Sequence, residues 1–469
     1  MRVHLSGVCG TAMASLAGLL SEAGHLVTGS DQDVYPPMSL QLQALGIEVR
    51  SPYAAANVPE DADLVVIGNA LSRGNPEVEV VLDRKQRMTS MPALLSEAFL
   101  RGRRSLVIAG THGKTTTTSL LAHLLRKSGL GPSFLVGGVP LDLERSYALG
   151  SGPHFVVEGD EYDSAFFDKR PKFVHYMPDV AVILNLEYDH ADIYESLGAV
   201  QKAFERLLSV IPSRGLLVAG VESEALRPLL PLAPCRVETF GIGVEADWRA
   251  DQVTPSSTGC RFHLQKGGIG LGFFELAVPG EHNVRNALAA LAVAAHEGVS
   301  PEEARPALLA FSGVKRRLER RGSVRGVEVY DDFAHHPTAV RETLRALRGV
   351  SGKGRLIAVF EPRSFTSRTR IFEQDFARAF LEADKVVVAA AHLPGKVKAE
   401  DRISEAGLAR SIGERGGSAV HIPGVDAIVA ALVPSLEAGD KVLVLSNGAF
   451  GGIHEKLLSA LEATPGPLR

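Results

Sequence analysis

The run Gly110-Thr111-His112-Gly113-Lys114-Thr115 carries the sharpest chemical signal in the chain. It stands between an apolar stretch, LVIAG, and a stretch of helical apolar period, SLLAHLLRKSG, so it reads as a strand-to-helix turn. A glycine-rich turn in that place aims backbone N–H groups inward as an anion nest, and the helix N-terminus adds partial positive charge. Lys114 would reach the β- and γ-phosphates of a nucleoside triphosphate, and the Thr115 hydroxyl would ligate Mg2+. The usual loop has four residues between its glycines. Here two residues separate Gly110 from Gly113 and Ile108 holds the place of the first glycine, a shortened variant. A tight turn with an exposed lysine is the plainer alternative.

Carboxylates and imidazoles gather after two later strands. HFVVE delivers Glu158, followed by Asp160, Glu161 and Asp163; VAVILN delivers Asn185, followed by Glu187, Asp189, His190 and Asp192. Ligands of open α/β sheets bind at the carboxyl ends of strands, where hard oxygens suit Mg2+. A neutral His190 would serve a second divalent ion. Asp160, Asp163 and Asp192 read as solvated loop charge or helix caps. Asn283 and Asn286, in GEHNVRNA, either cap a helix or hydrogen-bond an adenine or ribose. Arg317 is either solvated linker charge or a cation that reaches a transferred phosphoryl group as domains close. Asp331, His335 and His336 follow a further strand end, where a histidine pair reads more readily as a cap or surface feature than as a metal site.

At the start of the chain, Gly7-Val-Cys9-Gly10-Thr11-Ala12-Met13 links a first strand to a helix, and Asp31 ends the second strand. That resembles a dinucleotide-binding turn, but Met13 replaces the third glycine and the second is displaced by one. The turn fits a diphosphate resting on a helix N-terminus, or simple packing without a ligand.

Three such strand–turn–helix openings divide the chain, and strands then alternate with helices, which argues for three α/β domains with parallel sheets. Boundaries are placed near residues 102 and 321, after the basic stretches RGRRS and KRRLERRG. Residues 213–281 read as short, less regular strands and turns, closed by a helix over 286–298. The 469 residues suit about three domains, with 45% hydrophobic and 22% charged residues. A net charge of -4 gives no electrostatic reason to expect nucleic acid or a membrane as partner. Three scattered cysteines, no signal-peptide pattern and no membrane-length apolar run point to the cytoplasm.

Taken in order, GTHGKT, EGDEYD, NLEYDH, GEHNVRNA, RRLE and DDFAHHPT resemble the Mur ligase family across essentially the whole chain. The resemblance implies an ATP- and Mg2+-dependent amide ligase that activates a carboxylate as an acyl phosphate. It implies a Rossmann-like UDP-sugar domain (1–102), a central P-loop ATPase-like domain (103–320) and a Rossmann-like C-terminal domain (321–469) that closes on ATP and binds the incoming amine. Gly110, Thr111, His112, Gly113, Lys114, Thr115, Thr116, Asn283, Asn286, Arg317, Asp331 and His335 would bind ATP. Thr115, Glu158 and His190 would hold metal, with Lys114, Glu158, His190 and Arg317 catalytic. Gly7, Cys9, Gly10, Thr11, Ala12, Met13, Asp31 and Asn69 would bind the UDP-sugar.

Two branches of the family accept UDP-N-acetylmuramate. One adds L-alanine; the other adds the murein tripeptide L-alanyl-γ-D-glutamyl-meso-diaminopimelate during murein recycling. GVCGTAMASLAGLL, SDQDVYPPMS, FEPRSFTSRTR and LSNGAFGGIH look like the tripeptide branch. Arg363, Ser364, Asn447 and Gly448 would then grip the peptide, with Arg368 a further candidate.

Overall fold

The computed structural model describes residues 1–34, 38–255, 259–350, 352, 354–393 and 397–463; residues 35–37, inside SDQDVYPPMS, lie outside these. The chain builds three α/β domains, each on its own main sheet. The first sheet runs in the order Val49–Arg50, Leu26–Ser30, Arg2–Ser6, Leu64–Ile67, Met88–Ser90, with all neighbours parallel. Connections turn back on either side of Arg2–Ser6, so the glycine turn that follows it sits at the topological switch point. Helix Thr11–Glu22 buries Met13, Ala14, Leu16, Ala17 and Leu20 against this sheet.

The second sheet has ten strands. Its parallel centre places Arg104–Ala109 between Val180–Ile183 and His154–Glu158. All three are nearly continuous apolar runs, as strands covered on both faces must be. The stretch expected to be irregular is instead a regular extension of this sheet. Leu216–Gly220, Arg236–Ile242 and Trp248–Pro255 continue it in parallel, and Cys260–Lys266 and Ile269–Leu276 close it as antiparallel strands. Its polar, glycine-bearing sequence reflects an edge with one face open: Cys260, Phe262 and Leu264 are buried while Arg261 is exposed. The helix expected over 286–298 runs as Glu281–His296.

The third sheet has the order Glu319–Val324, Val327–Asp332, Lys441–Leu445, Leu356–Phe360, Lys385–Val388, Ala419–His421. Only the first pair is antiparallel. The basic stretch read as a linker therefore contains an edge strand of the third sheet, whose arginines face outward.

The two interfaces between domains differ in kind. The first and second domains share one apolar cluster, running from Val3, Leu16 and Leu95 to Phe155, Phe173 and Phe204. The third domain meets the second through hydrogen bonds, Thr366 to Asp189 at 2.6 Å and Thr338 to Glu187 at 2.7 Å, and through the Tyr188 ring, which packs on Phe372. Between them opens a cleft of 2250 Å³. Among the described residues no helix is long and apolar enough to cross a membrane.

At the first interface, a Cβ on Gly18 would collide with the ring of Tyr147, which is buried at 1% exposure and has no space to retreat. Gly18→Val is expected to lower unfolding stability by about 1–3 kcal/mol in urea titrations, the usual overpacking range. An unchanged midpoint would contradict the tight docking of helix Thr11–Glu22 on the second domain.

Candidate functional site

Strand Arg104–Ala109 ends at the loop, and helix Lys114–Lys127 starts from it. Gly113 caps that helix at φ +85°, and a Cβ there would strike the Asn286 side chain. Both facts require glycine. Asn185, at the end of the neighbouring strand, holds the loop twice: its Oδ1 accepts from His112 N at 2.8 Å and its Nδ2 donates to His112 O at 3.1 Å. The loop faces the cleft, whose wall includes Thr111 to Thr116, Glu158 and His190.

Lys114 Nζ donates to Gly110 O at 2.6 Å and to the Glu161 carboxylate at 2.8 and 3.1 Å. Burial opposes its charge, but the carboxylate of Glu161 outweighs that and raises its pKa. Glu161 also faces His190 Nε2 at 3.1 Å. It stays ionised against its burial because Lys114 and His190 stand beside it. Burial likewise opposes the charge on His190, and Glu161 raises its pKa in spite of it. His190 stands at φ +56° with its ring tilted over Tyr162.

Thr115 forms a second focus. Its hydroxyl donates to Glu158 Oε1 at 3.0 Å, and the other Glu158 oxygen accepts from Gly137 N at 2.8 Å. Arg317, arriving just before the third domain's first strand, reaches the same hydroxyl at 3.4 Å and stacks over Phe333. Burial raises the pKa of Glu158 despite Lys114 nearby, so its carboxylate is short of positive charge. A hydroxyl and an under-compensated carboxylate side by side fit a hard dication such as Mg2+. His190 is gathered with Glu161 rather than with this pair, so the expected metal residues lie at two foci.

Asn283 and Asn286 occupy the first two turns of helix Glu281–His296, but neither caps it; Gly280 is the cap, without a side-chain bond. Asn283 Nδ2 donates to Pro279 O and Asn286 Nδ2 to Asn283 Oδ1. Both line the cleft beside His282, whose Nδ1 is buried without a partner. Burial and then Arg285 and Arg317 push the His282 pKa down to about 4, so the ring is neutral.

Several expected residues are placed differently. Asp331 points away from the cleft towards Arg316 and His454, because strand alternation sends its neighbour Asp332 to the cleft instead. His335 does line the cleft, with Nδ1 on Phe333 O at 3.0 Å. Met13 is a core residue at 6% exposure, so its side chain is not a ligand contact. Asp31 is engaged by Cys9 N at 2.8 Å and the Tyr53 hydroxyl at 3.1 Å. It braces the turn of Gly7, Gly10, Thr11 and Ala12; none of these, nor exposed Asn69, lines the cleft.

On the far wall, Arg363, Ser364 and Asn447 line the cleft, and Asn447 Oδ1 is buried without a partner. Gly448 lies directly under the Arg363 guanidinium. Arg368 is spent on the carbonyls of Ser364, His392 and Leu393 and serves the local fold. Asp163 pairs with exposed Lys169, as a solvated charge would; Asp160, expected to be the same, is instead half-buried against Lys172 and lines the cleft with Asp192. Sequence reasoning named Glu161, Glu187, His282 and His336 without giving them a part in the site, and did not single out Asp332, whose one signal was its place beside Asp331.

A lysine-bearing loop at the carboxyl edge of a parallel sheet, roofed by a second α/β domain, defines a nucleotide-using enzyme. The chain belongs to the Mur ligase family, whose members are ATP-dependent ligases forming carbon–nitrogen bonds. Its catalytic-domain description matches residues 2–103, the Mur ligase middle domain 108–294, and the glutamate ligase domain 316–448. The UDP-N-acetylmuramate–L-alanyl-γ-D-glutamyl-meso-2,6-diaminoheptandioate ligase of Escherichia coli (strain K12) is 44% identical over 464 residues, 98% of each chain. The UDP-N-acetylmuramate–L-alanine ligase of Caldanaerobacter subterraneus subsp. tengcongensis is 34% identical over 458 residues, 97% of each. Among solved structures, a murein peptide ligase from Psychrobacter arcticus 273-4 gives a TM-score of 0.75 at 37% identity, covering 99% of this chain and all of that one. The UDP-N-acetylmuramate–alanine ligase of Thermotoga maritima gives 0.82 at 25% identity with the same coverage.

Asp332 supplies a pH test. Burial, opposed by Arg317 and by N–H bonds from Leu318 and Ala334, raises its pKa to about 6. Its value in an unfolded chain is about 3.9. The folded value is the higher one, so its contribution to stability is complete below about pH 4 and is lost as the pH rises through 6. The 13C signal of its carboxyl carbon is expected to titrate near pH 6 in the free enzyme; a midpoint near 4 would contradict the buried placement.

Proposed function

We propose that the enzyme joins UDP-N-acetylmuramate to L-alanyl-γ-D-glutamyl-meso-diaminopimelate at the expense of ATP, through an acyl phosphate. The observation that carries this reading is the meeting of Lys114, Thr115, Glu158 and Arg317, from loop, strand end and interdomain segment, at one cleft. The choice of amine rests on sequence. Identity to the tripeptide ligase is 44%, against 34% for the alanine-adding relative.

In this reading the domains are 1–102 for the UDP-sugar, 103–320 for ATP and 321–469 for the peptide, with the strand Glu319–Val324 drawing the second boundary back to before residue 319. The loop's N–H groups and Lys114 hold the β- and γ-phosphates, and the triphosphate replaces Glu161 as the partner of Lys114. Asn283, Asn286 and His282 receive the base, and Arg317 with His335 the phosphates. Thr115 and Glu158 would hold a Mg2+ ion, which supplies charge neutralisation at the phosphates when bound. The first N–H groups of helix Thr11–Glu22, which follows the N-terminal glycine turn, take the diphosphate of the UDP-sugar.

The muramyl carboxylate attacks the γ-phosphorus and ADP leaves; Lys114 and Arg317 offset the charge of two anions brought together. The amine of the L-alanyl residue then attacks the acyl carbon, gives a proton to a carboxylate or histidine at the second domain's strand ends, and the tetrahedral adduct collapses to the amide with loss of phosphate. Arg363, Ser364, Asn447 and Gly448 hold the peptide, with Asn447 Oδ1 an acceptor still lacking a donor. The second and third domains, which wall the cleft, keep water from the acyl phosphate. The sparse, scattered cysteines suit a reducing compartment, and we place the enzyme in the cytoplasm.

One incubation tests this: ATP, Mg2+ and UDP-N-acetylmuramate with L-alanine and tripeptide in equal amounts, read by product mass. The tripeptide adduct is expected to exceed the alanine adduct at least tenfold. Equal products, or alanine in excess, would overturn the choice of amine; no ATP-dependent product would overturn the whole reading.

A further inference from the structure

The phosphate loop, the segment after Val180–Ile183 and the start of helix Pro337–Gly349 meet at a point that the proposed reaction does not use. There His112, Glu187 and His336 each offer one ligand atom, all within 4.8 Å of one another. Glu187 Oε2 lies 3.5 Å from His112 Nε2 and 3.7 Å from His336 Nδ1. These separations are long for hydrogen bonds. They match the edge of a tetrahedron: donors held about 2.0–2.1 Å from a central ion stand about 3.4 Å apart.

The surroundings are those of ligand side chains. His336 Nε2 faces Tyr188 O at 3.2 Å, which places its proton there and leaves the Nδ1 electron pair on the Glu187 side. That pair accepts only a long bond, 3.3 Å, from Thr338 N. Glu187 Oε2 is steadied by the Thr338 hydroxyl at 2.7 Å. His112 is fixed through its main chain by Asn185, and its Nε2 is buried without a hydrogen-bond partner. Two imidazoles and one carboxylate form a softer set than the oxygens at Thr115 and Glu158, and suit a borderline ion over Mg2+.

We propose that His112, Glu187 and His336 form a site for a divalent transition-metal ion of the zinc class, with its fourth position open to the cleft. All three residues line that cleft. The bound ion ties the phosphate loop to the third domain and holds the two domains closed. The site is separate from the Mg2+ position and stands independently of which amine the enzyme uses.

Cobalt(II) is the probe, because it gives an intense visible band in a tetrahedral nitrogen–oxygen site and a faint one in an octahedral oxygen site. It is titrated into the full-length protein with Mg2+ in large excess. One equivalent is expected to give the intense band. Glu187→Gln and His336→Ala are expected to abolish it, and Glu158→Gln to keep it. His112→Ala, which removes nothing from the third domain, is expected to abolish it too, and covers the case in which His336→Ala does not fold. A faint spectrum only, a band that survives Glu187→Gln and His112→Ala, or a band lost with Glu158→Gln would each overturn the proposal.

Discussion

A buried lysine cannot remain charged without a partner, and the site is organised around that requirement. Lys114 sits at 13% side-chain exposure against Glu161 at 3%, 2.8 Å apart. Removing either partner would leave an uncompensated charge in a poorly solvated place, a cost of about 3–5 kcal/mol. Glu161 is shared with His190, and Asp160 beside it is shared with Lys172. The cluster therefore holds a charged ammonium group against a carboxylate. On the proposed function, nucleotide binding is an exchange of anions on that one group, which is less costly than desolvating a bare lysine.

The rest of the architecture keeps that exchange in register with a second substrate. An apolar cluster welds the first domain to the second, so the glycine turn at Gly7 and the loop at Gly110 belong to one rigid frame. The third domain meets that frame at residues 187–189, through hydrogen bonds from Thr338, Thr366 and His336 and one aromatic contact, Tyr188 on Phe372. So local a set of contacts beside a 2250 Å³ cleft can be remade when substrates enter, whereas a shared core cannot. Arg317 stands at the junction, where any change in domain angle moves it relative to Thr115.

Much of this was legible in the sequence, for a physical reason. The loop, the two acidic strand ends and the domain order are local patterns, each set by a strand–turn–helix unit of consecutive residues. What was hidden is what depends on which way a side chain points. Asp331 and Asp332 are neighbours in an identical context, and only strand alternation sends one to Arg316 and the other to the cleft. Met13 occupies a glycine's place in the motif, but the helix turns it into the core. The strands over 236–276 were obscured because a half-open edge carries polar and glycine residues that resemble loop. Glu161 and Glu187 could be counted in the sequence, but their roles come from partners 47 and 151 residues away.

The central claim is that the phosphoryl group held by the Lys114 loop passes to the carboxylate of the sugar substrate. Labelling tests it at the level of single atoms. UDP-N-acetylmuramate carrying 18O in its lactyl carboxylate is turned over with unlabelled ATP and the tripeptide, and the released phosphate is weighed by mass spectrometry. The account predicts one 18O in each phosphate, because the carboxylate oxygen that attacks phosphorus leaves with it when the amide forms. Phosphate free of 18O, alongside normal amide product, would contradict it.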